Sequence, residues 1–275
     1  MSTDQKIDFD KMAEYYTMSS RTLMRWRDDK PQKFELMLDE YNSHQNTEAK
    51  QEQSRAEVVV VANFKGGVGK STMSENYAVF LGDAAILNLD FSQPSAEINS
   101  CDTYDYAKYI EKYSIQDLIN ELSSKYKYIV IDTPGEVTPE VYEALKLTRK
   151  IIIPMTIGKR AREKTEITLK TFFGNGTELD EGEYKIYFLF NIVRNGVKKE
   201  VAITRFQEMY KNFVSAEGII LKSKLGSLDY SDAISTTEEE GKSIFKLAEE
   251  NKQAYRTIFG KIHKVCTQIE NHFEG

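Results

Sequence analysis

The sequence predicts an α/β protein: a mostly parallel, twisted sheet with helices on both faces, preceded by a small α-helical segment. Three observations carry that reading. From Glu57 onward, apolar runs of strand length alternate with helix-length stretches, the pattern of parallel strands joined by crossover helices. The first of these runs leads into a glycine-rich octet, Lys65–Thr72, and then into a helical stretch. Residues 1–43 differ: their apolar positions recur at helical spacing, with no strand-like run.

In the N-terminal segment, Met12–Arg27 reads as two short helices around a turn. Ala13 would pack at their crossing and Thr17 would occupy the turn. Ser19 or Ser20 would cap the second helix, with Leu23 and Trp26 facing inward. Arg21, Thr22, Arg25 and Arg27 are then available to DNA, with the arginines gathered on one exposed face. A third helix near 31–41 adds Phe34, Leu36, Met37 and Leu38 to a small core. The competing reading is a dimerisation arm whose arginines are only solvated. Residues 1–45 are assigned as helix-turn-helix-like and the polar stretch 46–56 as a linker, which could also be a solvated helix. Residues 57–275 form the α/β domain.

The strand runs of that domain are Val58–Asn63, Ala84–Leu89, Lys127–Asp132, Lys150–Met155, Tyr184–Asn191 and a weaker Gly218–Lys222. The helix after the octet spans Met73–Leu81 and ends at Gly82. Ser114 and Asp117 have capping-box spacing ahead of Leu118 and Leu122. Thr138-Pro139 reads as a cap followed by proline in the first turn. A last helix over about 247–273 aligns Tyr255, Ile258, Phe259, Ile262, Val265, Cys266, Ile269 and Phe273 in one stripe, which is core packing.

Strand, glycine loop and helix in that order are what a phosphate cradle needs. Gly66, Gly67 and Gly69 let the backbone N–H groups of the loop, Val68 included, point inward without Cβ obstruction. The helix N-terminus adds positive potential at the same point. Lys70 would reach terminal phosphates, and the Ser71 hydroxyl, followed by Thr72, would ligate Mg²⁺. Asp132 ends the apolar run Tyr128–Ile131, at the carboxyl edge of the sheet, where it can hold Mg²⁺ opposite Ser71. Asp90 ends another run, within Leu87-Asn88-Leu89-Asp90-Phe91-Ser92-Gln93-Pro94, where a carboxylate could orient an attacking water.

The octet has Phe64 where the general G-x-x-x-x-G-K-S loop begins with glycine, and Lys65 beside Gly66-Gly67. This resembles the deviant Walker A loop of the ParA/MinD branch of P-loop ATPases. Tyr128–Gly135 is similar to the Walker B strand of that family, and Asp90 stands at its second D-x-D aspartate, with Asn88 replacing the first. The resemblance implies ATP and Mg²⁺ as cofactors and slow ATP hydrolysis. It implies an ATP-dependent homodimer in which Lys65 reaches the partner's nucleotide, and an adenine contact at Asn191. Relatives carry a proline loop near the base, which Gly226-Ser227-Leu228 lacks. With the N-terminal segment, the chain looks most like ParA-type partition proteins, which bind DNA and answer to a centromere-binding ParB-like partner, some larger ones using such a module to repress their own operon.

Composition bounds the alternatives. The chain has 275 residues, 40% apolar and 29% charged, with a net charge of −6, so any nucleic-acid contact requires a local basic face. The C-terminal third offers one in Lys222, Lys224, Lys242, Lys246, Lys252, Arg256, Lys261 and Lys264. No run reaches the ~18 apolar residues of a membrane span, and the expected setting is cytoplasmic and nucleoid-associated, with no membrane contact. Cys101 and Cys266 lack metal or cluster spacing, which excludes a cluster-bearing ATPase. The sixteen tyrosines are dispersed, which excludes a tail-phosphorylated kinase. The acidic stretch Glu270–Gly275 is unlike a membrane-binding amphipathic helix. The remaining alternative is a MinD-like or conjugative-transfer ATPase that positions membrane or protein cargo.

Overall fold

Val58–Val61 is apolar at every position because it is covered on both sides. Val58 and Val60 enter one core and Val59 and Val61 the other. In the computed structural model this strand, β1 (Glu57–Val61), is central in a seven-stranded sheet. The others are β2 (Ala84–Asn88), β3 (Asp102–Asp105), β4 (Tyr128–Asp132), β5 (Lys150–Met155), β6 (Gly182–Val193) and β7 (Ile219–Asp229). Their order is β3-β2-β4-β1-β5-β6-β7, and every pairing is parallel. The structure describes residues 7–53, 56–92, 101–156, 158–193, 199–229 and 242–275. Gln93 and Pro94 lie outside them.

Helices α4 (Lys70–Leu81), α5 (Ile115–Leu122), α6 (Pro139–Lys146), α7 (Lys159–Phe173), α8 (Lys199–Lys211), α9 (Ile244–Glu250) and α10 (Lys252–Glu274) cover the sheet. The chain steps one way from β1 to β2 and the other way from β3 through β7. Right-handed crossovers therefore put α4 on one face and α5 to α8 on the other. Core composition agrees: Leu118, Val141, Phe172 and Phe206 fill one side, and Met73, Tyr77, Ile244, Leu247, Ile262 and Ile269 the other. The direction of winding reverses at β1, which opens a crevice beyond its carboxyl end.

Four expectations change. β3 is an additional edge strand, unmarked because Asp-Thr-Tyr-Asp is short and polar. β7 runs on to Asp229. The final helix is two, since Asn251 leaves helical geometry and its side chain accepts from Ala254 N at 3.2 Å, starting α10 afresh. Thr138 precedes Pro139 at the start of α6, but its hydroxyl is buried without a partner among the described residues. The Ser114–Asp117 capping box forms in both directions.

The chain separates into two compact units, Met1–Arg55 and Ala56–Gly275. The first holds α1 (Phe9–Tyr15), α2 (Ser20–Asp29) and α3 (Pro31–Gln53), and helix runs through 46–53, the helical one of the two forms expected for that stretch. Its core is Met12, Ala13, Leu23, Phe34 and Tyr41. Ser19 caps α2 by accepting from Thr22 N at 3.2 Å. Thr17 takes φ +52° in the turn, the conformation glycine adopts without strain. Trp26 is half-buried rather than core, with the Lys33 ammonium 3.9 Å from its ring centroid, and Leu36 is 72% exposed.

Candidate nucleotide site

The glycine loop leaves β1 and enters α4 at the switch point. Nothing lies within 4 Å of where a side chain would stand at Gly66 or Gly67, so this part of the backbone borders open space. Gly69 has φ +86°, and a Cβ there would sit 2.0 Å from Asn191 Nδ2. Glycine is required at that point on both counts. Gly135, just past β4, closes on the loop from another side. A Cβ on it would lie 3.0 Å from Gly66 N.

The charged groups meet at the carboxyl ends of β1, β2 and β4. Asp132 is buried at the end of β4, paired in register with Val61 and Asn88. Burial pushes its carboxyl up to about 6. Hydrogen bonds from the Ser71 and Ser74 hydroxyls and the nearby Lys70 ammonium oppose the rise. Ser74 also donates to Lys70 O at 3.1 Å, tying the first turn of α4 to this carboxylate. Lys70 is buried, which lowers its pKa, while Asp132 and Asp90 raise it. Its ammonium donates to Lys65 O at 3.3 Å.

Asp90 is half-buried past β2, close enough to influence both Lys70 and Asp132. Its carboxylate accepts from Ser92 N at 3.0 Å and Ser92 Oγ at 2.6 Å. Asn88 Oδ1 accepts from Asp90 N at 2.9 Å, and Asn88 Nδ2 donates to Asp105 Oδ1 at 3.0 Å. An aspartate at 88 would add a third carboxylate beside Asp105 and Asp132. The amide avoids that repulsion and fixes the Asp90 backbone.

Asn191, expected at the base, is 2% exposed and donates to Val68 O at 3.1 Å. It braces the phosphate loop, a task the sequence did not indicate. Asn63, Thr165 and Thr168 were also missed. Asn63 donates to Pro154 O at 2.8 Å and Thr165 Oγ1 at 3.1 Å, and Phe64 N donates to Thr168 Oγ1 at 3.0 Å. Their partners lie far along the chain, so no local pattern could reveal them.

The arginines of α2 divide. Arg21 and Arg25 are one turn apart and exposed. Arg27 lies about 120° round the helix from Arg21, where it pairs with Asp28 at 3.0 Å and stands 5.6 Å from the Phe9 ring centroid. Thr22 Oγ1 is 2.8 Å from Ser19 Oγ. In the second unit, Lys222, Lys242 and Lys246 pair with Glu183, Glu250 and Glu249. Lys252, Arg256, Lys261 and Lys264 are exposed along α10. Lys261 and Lys264 also border a cavity of about 510 Å³ beside Leu225–Leu228. Among the described residues no three His, Cys, Asp or Glu side chains group as a metal site, and no helix is long and apolar enough to cross a membrane.

The parallel sheet, the switch-point loop and the acid at the end of β4 define a P-loop NTPase fold. The structural neighbours are ParA/MinD-family P-loop ATPases, and the chain has their fold. A chain of the Aquifex aeolicus MinC:MinD cell division protein complex matches with TM-score 0.57 at 15% identity, over 78% of this chain and 96% of that one. The pnob8 ParA matches at 0.50 and 14%, over 80% and 99%. The septum site-determining protein MinD from Pyrococcus horikoshii, complexed with Mg-ADP, matches at 0.50 and 17%, over 78% and 96%. No protein-family model matches the chain, and no curated protein matches it in sequence.

Proposed function

We propose that this chain is a ParA-type partition ATPase. It forms an ATP- and Mg²⁺-dependent homodimer on DNA and is released when a ParB-like centromere-binding partner stimulates hydrolysis. The observation that carries the reading is the pair of lysines in one glycine loop, Lys65 and Lys70, the second buried beside Asp132 and bonded to the carbonyl of the first. Lys70 exchanges that carbonyl for the terminal phosphates. Lys65, with no remaining task in its own loop, serves the nucleotide of a second copy. The backbone of Gly66–Gly69 and the N-terminus of α4, with Thr72, bind the phosphates. Ser71 and Asp132 are the residues that would hold Mg²⁺, which when bound neutralises phosphate charge. Asp90 orients the hydrolytic water.

The test is Mg²⁺-dependent ATP hydrolysis by the full chain. Lys70→Ala should abolish binding or turnover, and wild-type activity in that variant would reject the site.

DNA contact is assigned to two surfaces. The α10 cations give sequence-independent binding that falls steeply with salt. Residues 1–45 read an operator near the protein's own gene through Arg21, Thr22 and Arg25. Footprinting of the upstream region should show a protected inverted repeat. Arg25→Ala should weaken that protection with ATPase activity intact, and no protected site with or without nucleotide would make the segment a dimerisation arm. The alternative, a positioning ATPase acting on membrane or protein cargo, predicts vesicle binding without DNA binding.

A further inference from the structure

We propose that Thr168 of α7, with Thr165 and Asn63, positions the phosphate loop for turnover. It does so by holding the backbone from which Lys65 departs. The inference rests on the nucleotide-switched dimer proposed above.

All three side chains are at most 1% exposed, so none gains from water what it gives to the loop. Each threonine hydroxyl finds its nearest acceptor in its own helix, and Asn63 Oδ1 is a second, longer acceptor for Thr168 Oγ1 at 3.5 Å. Thr165 Oγ1 donates to Ala161 O at 3.0 Å and Thr168 Oγ1 to Lys164 O at 2.9 Å. Their lone pairs therefore face the loop. Thr168 receives the Phe64 N–H at 3.0 Å, and Thr165 receives the Asn63 amide at 3.1 Å. The same amide reaches Pro154 O near the end of β5 at 2.8 Å. The Phe64 ring meets Phe172, one turn further along α7, edge to face with centroids 4.8 Å apart. Polar bonds above and aromatic packing below lock Phe64 to α7.

Beyond this clamp Gly66 and Gly67 border open space, and the loop is held again where Gly135 approaches Gly66 and Asn191 donates to Val68 O. Lys65 is the next residue after the clamp, and its carbonyl is the partner of the Lys70 ammonium. The clamp thus places Lys65 and, through the Lys65 carbonyl, the partner of the Lys70 ammonium. A stability role alone would lower the unfolding temperature and leave turnover unchanged in folded protein. A positioning role separates the two.

The experiment compares full-length wild type, Thr168→Val and Thr168→Ser. It measures kcat and KM for Mg-ATP, ATP-dependent dimerisation and thermal unfolding. Valine keeps the shape and removes the acceptor for Phe64 N–H. Leaving that donor buried and unpaired should lower kcat roughly 10-fold, with KM within about 3-fold, and weaken the ATP dimer. Serine restores the acceptor and should return kcat to within about 3-fold of wild type. A folded Thr168→Val protein with wild-type kcat and dimerisation overturns the proposal. So does a serine variant as impaired as the valine one. If Thr168→Val does not fold, Thr165→Ala takes its place, with the same kcat-selective loss expected and unchanged turnover overturning the idea. A wild-type protein without ATPase activity would instead reject the underlying nucleotide-switch reading.

Discussion

Gly69→Ala tests the geometry of the phosphate loop, because two independent costs meet at one atom. Holding alanine at φ +86° and ψ 34° costs about 1–2 kcal/mol. The new Cβ would also stand 2.0 Å from Asn191 Nδ2, so the amide must leave its bond to Val68 O. A buried polar pair so broken costs about 1–3 kcal/mol. The sum, roughly 2–5 kcal/mol, should lower the unfolding temperature of the sheet unit by roughly 4–20 °C. Far-UV circular dichroism reads that transition. The decisive comparison repeats the substitution in an Asn191→Ala background. There the collision is gone and only the backbone strain remains, about 1–2 kcal/mol. The two substitutions should therefore be non-additive by at least about 1 kcal/mol. Equal costs for Gly69→Ala in both backgrounds would refute the claim that Asn191 braces the loop.

Two further outcomes are expected. Asp132, with its carboxyl raised to about 6 from an ordinary 3.8, stabilises the nucleotide-free fold most below pH about 4, and that contribution is lost as pH rises through about 6. Asp132→Asn should remove this slope from urea unfolding measured between pH 4 and 7, and an unchanged slope would contradict it. Thr17→Gly relieves the φ +52° turn and should stabilise the N-terminal unit by about 0.5–1 kcal/mol after the greater unfolded-state freedom of glycine is subtracted. The fluorescence of Trp26, the single tryptophan, follows that unit, and a destabilised variant would show that the threonine is not strained.

What could be read from the sequence and what could not differ by the range of the interaction. β1, β4 and β5 are runs of valine and isoleucine covered on both sides, and such runs announce themselves. The glycine loop is visible because its backbone demands are met by residues next to one another. β3 could not be seen, since Asp102–Asp105 is short, polar and at an edge. Trp26 and Leu36 were misplaced because helical spacing names a face without saying how far the partner helix extends. The supports of the site were hidden for a stronger reason. Asn63 meets Thr165 and Asn191 meets Val68 across 102 and 123 positions, and only the closed sheet brings them together. Asn191, singled out near the carboxyl end of β6, donates to loop backbone that no local pattern places beside it. Asn88, a departure from the family pattern, becomes intelligible once Asp105 is found beside it on an unforeseen strand.

The central claim is that Lys65 acts across a nucleotide-dependent dimer, and sedimentation velocity tests it most directly. Asp90→Ala should slow hydrolysis and hold the ATP state long enough to sediment. With Mg-ATP that variant should run as a dimer, and with ADP as a monomer. Adding Lys65→Ala should return it to a monomer in ATP while nucleotide binding persists through Lys70. A monomer in every nucleotide state, or an ATP dimer indifferent to Lys65, would contradict the account.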